Sequence, residues 1–417
     1  MRLTALFLAA SLTFAAHAGP QDSVKAHPPK QVAPGTWVLT FLGAARCVTG
    51  SRYLLDTGRA RVLVDCGLQQ ERDQQARNWE PLPMPPDRID AVLLTHAHLD
   101  HCGLLPRLVK LGFRGPVFAT GPTAEIARIV MLDSARIQME DVEHKQYRHR
   151  KKGHTPPRPP AALYTEEDAE QAGRRFSVAE LGQAVRVADG IEAECFEAGH
   201  ILGSTSIRLR VGSGAGARTI LFSGDIGRWE KPFLNDPAPC DEADWVLMES
   251  TYGDRLHEER RHRVERLGRI LDGALRDGGK VFIPAFALGR SQELIYEMDR
   301  LYSQASPGRR KAPVFLDSPL GLEITKITAK LRGFWDGEAR ELARGGDDPL
   351  DFEKLYGVGN WRAHRELLQM QGPAVILAGS GMCTGGRIVE HLREGLRDGR
   401  NDVLFVGYQA RGTPGRD

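Results

Sequence analysis

Four side chains that can ligate a first-row metal fall within the six residues His96-Ala97-His98-Leu99-Asp100-His101. Imidazole and carboxylate together suit zinc or a related ion. They follow Ala91-Val92-Leu93-Leu94, an apolar run that reads as a buried strand, and a strand ending in ligands presents them at the edge of a sheet. A tight turn after that strand lets His96 and His98 point one way and Asp100 and His101 another, so one loop can serve two metals. The plainer alternative is a polar turn that happens to be rich in histidine. Four ligands in so short a span argue against it.

Two further ligands stand at strand ends beside glycine, where the backbone can turn sharply. His200 in Ala198-Gly199-His200 follows the strand-like stretch Ala193-Glu194-Cys195-Phe196, and Asp225 in Ser223-Gly224-Asp225 follows Thr219-Ile220-Leu221-Phe222. Alone, each is an ordinary solvated turn residue. With the first cluster they form one pattern.

Asp65 in Val62-Leu63-Val64-Asp65-Cys66-Gly67, the segment His96 to His101, His200 and Asp225 resemble the ordered motifs of the metallo-β-lactamase superfamily. Glu249-Ser250-Thr251-Tyr252-Gly253-Asp254-Arg255 resembles the acidic motif opening the β-CASP insertion. Pro284-Ala285-Phe286-Ala287-Leu288-Gly289-Arg290-Ser291-Gln292-Glu293, Asp317-Ser318-Pro319, Ala378 to Arg387 and Gly407-Tyr408-Gln409-Ala410 continue the match. The resemblance runs from about Leu39 to the last residue. It implies an α/β fold: a metallo-β-lactamase αββα sandwich over 36–240, and an inserted β-CASP α/β domain of mainly parallel sheet over 245–417. Members are RNA- or DNA-processing nucleases, so the implied activity is a zinc-dependent ribonuclease cleaving phosphodiester bonds with a metal-bound hydroxide.

The resemblance also assigns roles. His96, His98 and His200 would hold one zinc, Asp100 and His101 a second, and Asp225 would bridge; two cations about 3.5–4 Å apart clamp an attacked phosphate. Asp65 would support the ligand loop and Glu249 would orient the catalytic acid, so that Asp65, Asp100 and Glu249 are the catalytic candidates. Gly379-Ser380-Gly381 ends a strand and Thr384-Gly385-Gly386-Arg387 opens a helix, a junction whose N–H groups and dipole suit phosphate. Arg290, Ser318, Ser380, Gly381, Thr384, Gly385 and Arg387 are therefore the RNA-contact candidates, the two arginines through charge-assisted bonds.

The elements that must position these residues are legible in outline. Trp37-Val38-Leu39-Thr40-Phe41-Leu42, Arg52-Tyr53-Leu54-Leu55 and Val62-Leu63-Val64 read as opening strands. Val281-Phe282-Ile283, Val314-Phe315-Leu316, Val375-Ile376-Leu377 and Val403-Leu404-Phe405-Val406 alternate with helices, which implies a parallel sheet. One helix carries Val264, Leu267, Ile270, Leu271 and Leu275 and stops at Gly278-Gly279; another starts at Ser291 with Leu294, Ile295, Met298, Leu301 and Tyr302 on one stripe. Between Asp133 and Phe176 the chain reads as a helix and then a solvated loop, with the basic run Arg148-His149-Arg150-Lys151-Lys152 and the proline-rich stretch Pro156 to Pro160. Its basic side chains rimming a cleft is the alternative reading; His144, His149 and His154 follow no strand end.

A chain of 417 residues accommodates two cores. A formal net charge of +2 means that nucleic acid must meet a local basic groove rather than a basic whole. RNA is the expected partner, single-stranded rather than duplex, and a homodimer stays open. No apolar stretch of about 18 residues follows the N-terminus, so no membrane association is expected. Residues 1–18 carry an apolar run from Leu3 to Ala16 and the small-x-small site Ala16-His17-Ala18, as a secretory signal peptide does. Export, or a cytoplasmic protein whose true start lies near Thr36, are both open. Cys47, Cys66, Cys102, Cys195, Cys240 and Cys383 form no CxxC pair and read as reduced, mostly buried residues.

The pattern departs from the resemblance at the C-terminus. No histidine follows Tyr408 before Asp417, where the family carries a general acid and a last ligand, and His364 and His391 come too early. The expectation is a deficient second zinc site, a poor nuclease and an exposed sheet edge. A non-catalytic RNA-binding or assembly subunit is then the competing function, with a small-molecule ester or thioester hydrolase as a third.

Overall fold

Strand patterning sorts the chain into three sheets, and the computed structural model describes residues 36–152, 160–256, 262–304, 311–410 and 412–417. The signal-like segment, His154 and most of the proline-rich stretch lie outside the described residues. The first sheet sets β1 (Val38–Phe41), β2 (Tyr53–Asp56), β3 (Arg61–Val64), β4 (Ala91–Leu93), β5 (Val117–Ala119) and β6 (Phe176–Val178) side by side in chain order. Pairing is antiparallel from β1 to β3 and parallel from β3 to β6. The second sheet holds β7 (Val185–Ala188), β8 (Ile191–Glu197), β9 (Thr205–Val211), β10 (Arg218–Phe222) and β11 (Trp245–Leu247). Ile191, Ala193 and Cys195 of β8, like Thr205, Ile207, Leu209 and Val211 of β9, are buried while their neighbours are more open, as in antiparallel strands with one covered face.

These two sheets pack face to face. Leu55, Val62, Val64, Ala91 and Leu93 meet Ile191, Ala193, Cys195, Ile207, Leu209, Ile220 and Phe222 in one apolar cluster. The other face of the first sheet, with Leu63 and Val92, is covered by α1 (Leu99–Cys102), α2 (Leu105–Lys110), α3 (Gly121–Lys152) and α4 (Glu166–Gly173). The expected helix-then-loop after Asp133 is a continuous helix to Lys152 and later a second helix, α4. Thr165 Oγ1 accepts from Asp168 N, and Asp168 accepts in turn from Thr165 N, a capping box that starts α4. Arg148, Arg150, Lys151 and Lys152 are exposed on the last turns of α3.

The third sheet is parallel throughout, in the order β14 (Leu355–Gly357), β13 (Val314–Asp317), β15 (Ala374–Ala378), β12 (Lys280–Pro284), β16 (Asp402–Val403). Its central strands are buried on both faces, which accounts for their unbroken apolar runs. The last strand is shorter than the run Val403 to Val406 predicts. It sits at the sheet edge and leaves β12 after Leu404 N donates to Phe282 O. Around this sheet lie α5 (Arg263–Asp277), α6 (Arg290–Ser303), α7 (Pro319–Lys330), α8 (Gly337–Arg344), α9 (Trp361–Gln369) and α10 (Arg387–Gly395). As the stop signal predicts, α5 ends on Gly278 in the left-handed region at φ 77°.

The two units share one core. Phe233 of the first packs on Tyr296 and Trp335 of the second at 6.1 and 6.2 Å between ring centroids, and α3 packs on α7. In the third sheet Pro284 and Asp317 both register with Ala378. The C-terminal ends of β12, β13 and β15 therefore form one rim, where open α/β sheets bind ligands. None of the described helices is long and apolar enough to cross a membrane, and all six cysteines are unpaired thiols.

Candidate metal centre

The ligand loop is built on Asp65 at the end of β3. Its backbone lies in the left-handed region at φ 58°, unusual for a residue other than glycine and a conformation the surroundings must hold. Thr95 N and Thr95 Oγ1 donate to its Oδ1 at 2.8 and 3.0 Å, Ser51 Oγ donates to Oδ2 at 2.8 Å, and His101 Nδ1 lies 2.7 Å from Oδ2. Asp65 thus ties β3 to the end of β4 and holds the His101 ring through Oδ2. Thr95, Ser51 and these contacts carry no sequence signal.

His98 itself is extended, at φ −65° and ψ 148°, and the chain then turns into α1 at Leu99. That change of backbone separates the two pairs of ligands. Nε2 of His96 and Nε2 of His200 each lie 3.1 Å from Nδ1 of His98. Oδ2 of Asp225 lies 3.5 Å from His200 Nε2 and 3.8 Å from His96 Nε2. Ligand atoms around one tetrahedral zinc, with bonds of about 2.0–2.1 Å, stand roughly 3.3–3.4 Å apart. These four separations bracket that spacing, and all four ligand atoms lie within 4.8 Å of one another. Across the same carboxylate, Asp225 Oδ1 lies 3.3 Å from His101 Nε2, which is 3.9 Å from Asp100 Oδ2. Asp225 stands between the two sets, as a bridging ligand must.

Electrostatics divide the histidines in the same way. Burial holds His96 and His200 well below the ordinary imidazole value and His98 down to about 4, against the pull of Asp225. These three rings are neutral near pH 7, the form that binds metal. Burial also lowers His101, but Asp225, Asp65 and Asp100 outweigh it and carry the ring well above its ordinary value. Asp100 is pushed up to about 6, chiefly by burial.

Among the other predicted residues, Glu249 lies beside the Asp225 loop: its Oε1 accepts from Ile226 N at 3.1 Å. The rim of the third sheet gathers Ser318, the segment Gly379 to Arg387 and the turn at Leu288. Ser318 Oγ caps α7 by accepting from Gly321 N, and a Cβ on Gly379 would lie 3.9 Å from it. Ser380 Oγ accepts from Thr384 N at 3.0 Å. Gly381 O accepts from Gln409 Nε2 at 2.8 Å, and Gly385 faces open space. Arg290 is committed on one side to Glu293 at 2.7 Å and remains 38% exposed.

Arg387 departs from its predicted role. It is buried, and its Nη1 donates to Asp317 Oδ1 and Val358 O, both at 2.7 Å. It braces the rim from beneath, with Nη1 committed to these two acceptors. The same Asp317 collects His364 Nδ1 at 2.5 Å and His391 Nε2 at 2.6 Å on Oδ2. These are hydrogen-bond lengths, too short for ligands of one ion, and the guanidinium on the other oxygen disfavours a cation. Neither histidine is available to replace a ligand of the first centre.

Glycine makes the loop approaches attainable. A Cβ on Gly227 would lie 1.8 Å from Gly199 O and 2.7 Å from His200 N. Gly227→Ala is therefore expected to displace the His200 loop, lowering the capacity to hold a metal ion and destabilising the fold by about 1–3 kcal/mol or more. Metal analysis and thermal unfolding of the purified variant check this; unchanged values would mean that the loop yields freely.

Residues 45–113 match the family profile of the Metallo-beta-lactamase superfamily, and residues 291–417 that of the Beta-Casp domain. Ribonuclease TTHA0252 of Thermus thermophilus is 40% identical over 377 residues, which cover 90% of this chain and 80% of that protein. Transcription termination factor FttA of Methanocaldococcus jannaschii is 34% identical over 387 residues, 91% of this chain and 57% of that protein. The factor of the same name from Methanococcus maripaludis is 32% identical over 398 residues, 94% of this chain and 59% of its own length. The chain thus spans less than two thirds of these two termination factors.

Proposed function

Because the chain belongs to the β-CASP branch of the metallo-β-lactamase superfamily, we propose that it is a zinc-dependent ribonuclease that hydrolyses single-stranded RNA. The chain is a metallo-β-lactamase-fold hydrolase of a nuclease family, and zinc, RNA and strandedness are the inference. What carries it is the tetrahedral spacing of His96, His98, His200 and Asp225 beside a glycine-rich rim that can bind phosphate. Zinc held there would activate a water and polarise a phosphate oxygen.

The chain's own groups do the rest. Asp225 and Asp100 complete the two ligand sets, and Asp65 fixes the His101 ring. The glycine-rich turn around Gly385 opens α10, whose N-terminal dipole favours anions, although Thr384 N, Ile388 N and Val389 N are already bonded within the turn; Ser380 and Thr384 add hydroxyls, and Arg290 adds charge. Contacts of this kind grip the backbone of RNA and carry no base information, so sequence preference should be weak.

The test is a substrate panel offered to the zinc-loaded protein: labelled single-stranded RNA, duplex RNA, single-stranded DNA, and a chromogenic ester and thioester. Preferential cleavage of single-stranded RNA, abolished by stripping the metal, is the expected result. RNA binding without cleavage would instead make the protein a binding subunit. Ester turnover without RNA cleavage would make it a small-molecule hydrolase.

A further inference from the structure

Residues of the second domain reach the His98 and His200 loops at three places. Lys231, on the loop after β10, is buried, and its Nζ donates to the backbone carbonyl of His200. The same Nζ pairs at 2.7 Å with Oε1 of Glu293 in the first turn of α6, both side chains being less than 10% exposed at 8% and 6%. The other carboxylate oxygen, Oε2, accepts from Arg290 Nη1 at 2.7 Å, so both Glu293 oxygens are engaged. A second contact comes from the turn just before α6. Nε2 of His98 lies 3.5 Å from Leu288 O, while its Nδ1 faces the other two ring nitrogens. A third is steric: Gly289 sits at φ 84°, where a Cβ would meet Ile201 Cγ2 at 2.8 Å.

Outer partners of this kind fix the ring orientation and tautomer of a metal-ligating histidine. A buried ion pair contributes little to stability compared with apolar residues of the same volume, so conformational stability alone does not account for the Lys231–Glu293 pair. We propose that the Leu288–Glu293 segment of the second domain is a positioning brace for the metal centre of the first. It acts on His98 through the Leu288 carbonyl and on His200 through Glu293 and Lys231. The seating of the second domain, which also carries the phosphate-binding rim, thereby sets metal affinity. Lys231 and Glu293 are positioning residues. The proposal rests on the reading of His96, His98, His200 and Asp225 as metal ligands.

The experiment compares wild type, Lys231→Met, Glu293→Gln and the double variant in the full chain. Zinc affinity is read by competition with a chromophoric chelator, ligand geometry by the visible bands of the cobalt-substituted protein, and folding by thermal unfolding of the metal-free form. Lys231→Met is expected to weaken zinc binding by about 10–100-fold and to shift the cobalt bands; the metal-free melting temperature should also fall, because one partner of a buried pair is removed, so the cobalt bands of the folded variant are the reading that a merely structural role would not move. Glu293→Gln should weaken zinc binding less. The double variant should be no worse than Lys231→Met, because Glu293 acts through the lysine.

Unchanged affinity and spectrum in Lys231→Met, or additive effects in the double variant, would overturn the brace. If Lys231→Met does not fold, the isosteric Glu293→Gln decides, and wild-type affinity in it would overturn the brace. A wild-type protein that binds no zinc would overturn the brace and the metal centre together, whereas tight wild-type binding unaltered in the variants overturns the brace alone.

Discussion

Replacing His98 with alanine is expected to leave the purified protein with little zinc and to slow RNA cleavage by at least about 100-fold, since even loss of an outer partner of a metal ligand typically costs 10–100-fold. His98 is the middle of the set: its Nδ1 stands 3.1 Å from the ligand nitrogens of both His96 and His200. Removing it leaves two imidazoles and a carboxylate around an open position. Thermal stability of the metal-free protein should change little, because burial already holds these rings neutral and no ion pair is broken. Zinc content by elemental analysis and single-turnover cleavage of labelled RNA check both halves.

The second large effect is expected at Asp317→Ala, and it is one of folding. Asp317 is fully buried and accepts from His364, His391 and Arg387. Alanine would leave a guanidinium and two imidazoles facing a void, and breaking a buried pair by removing one partner costs about 3–5 kcal/mol. Burial alone would raise the Asp317 carboxyl. The bonds from His391, His364 and Arg387 outweigh it and hold the group below the ordinary carboxylate range. A depressed folded value means that the contribution is fully present above the unfolded value of about 3.9 and fades as pH falls through the folded value. Wild type should therefore exceed Asp317→Ala in stability near pH 7, and the gap should narrow on acidification. Denaturant unfolding at both pH values measures the gap; a gap under about 1 kcal/mol at neutral pH would show that the cluster relaxes without Asp317.

The cluster that the structure gathers at the candidate metal centre was legible in the sequence because such chemistry demands local spacing. His96, His98, Asp100 and His101 share one turn, and His200 and Asp225 each follow a strand and a glycine. The parallel third sheet was legible in its apolar runs, as was the end of α5 at Gly278. What supports the site was not. Leu288 acts through a backbone carbonyl that any residue offers, and Lys231 and Glu293 are common charged types that meet only when the two domains pack. Arg387 looks from the sequence like a phosphate ligand because it opens a helix after two glycines. Its partner Asp317 lies 70 positions away, and no local pattern announces it. The missed helix α4 is a different case. Its Thr165-Glu166-Glu167-Asp168 start resembles a capping box, with aspartate in place of the usual glutamate or glutamine, but it follows the proline-rich stretch that made the region read as loop.

The most direct test of the central claim is to return zinc stepwise to the metal-stripped wild-type protein and to measure bound zinc and single-stranded RNA cleavage on the same samples. The proposed function predicts that cleavage is absent in the stripped protein and rises in step with zinc bound to the His96, His98, His200 and Asp225 set. Cleavage by the stripped protein at the same rate, or tight zinc binding that brings no cleavage, would contradict it.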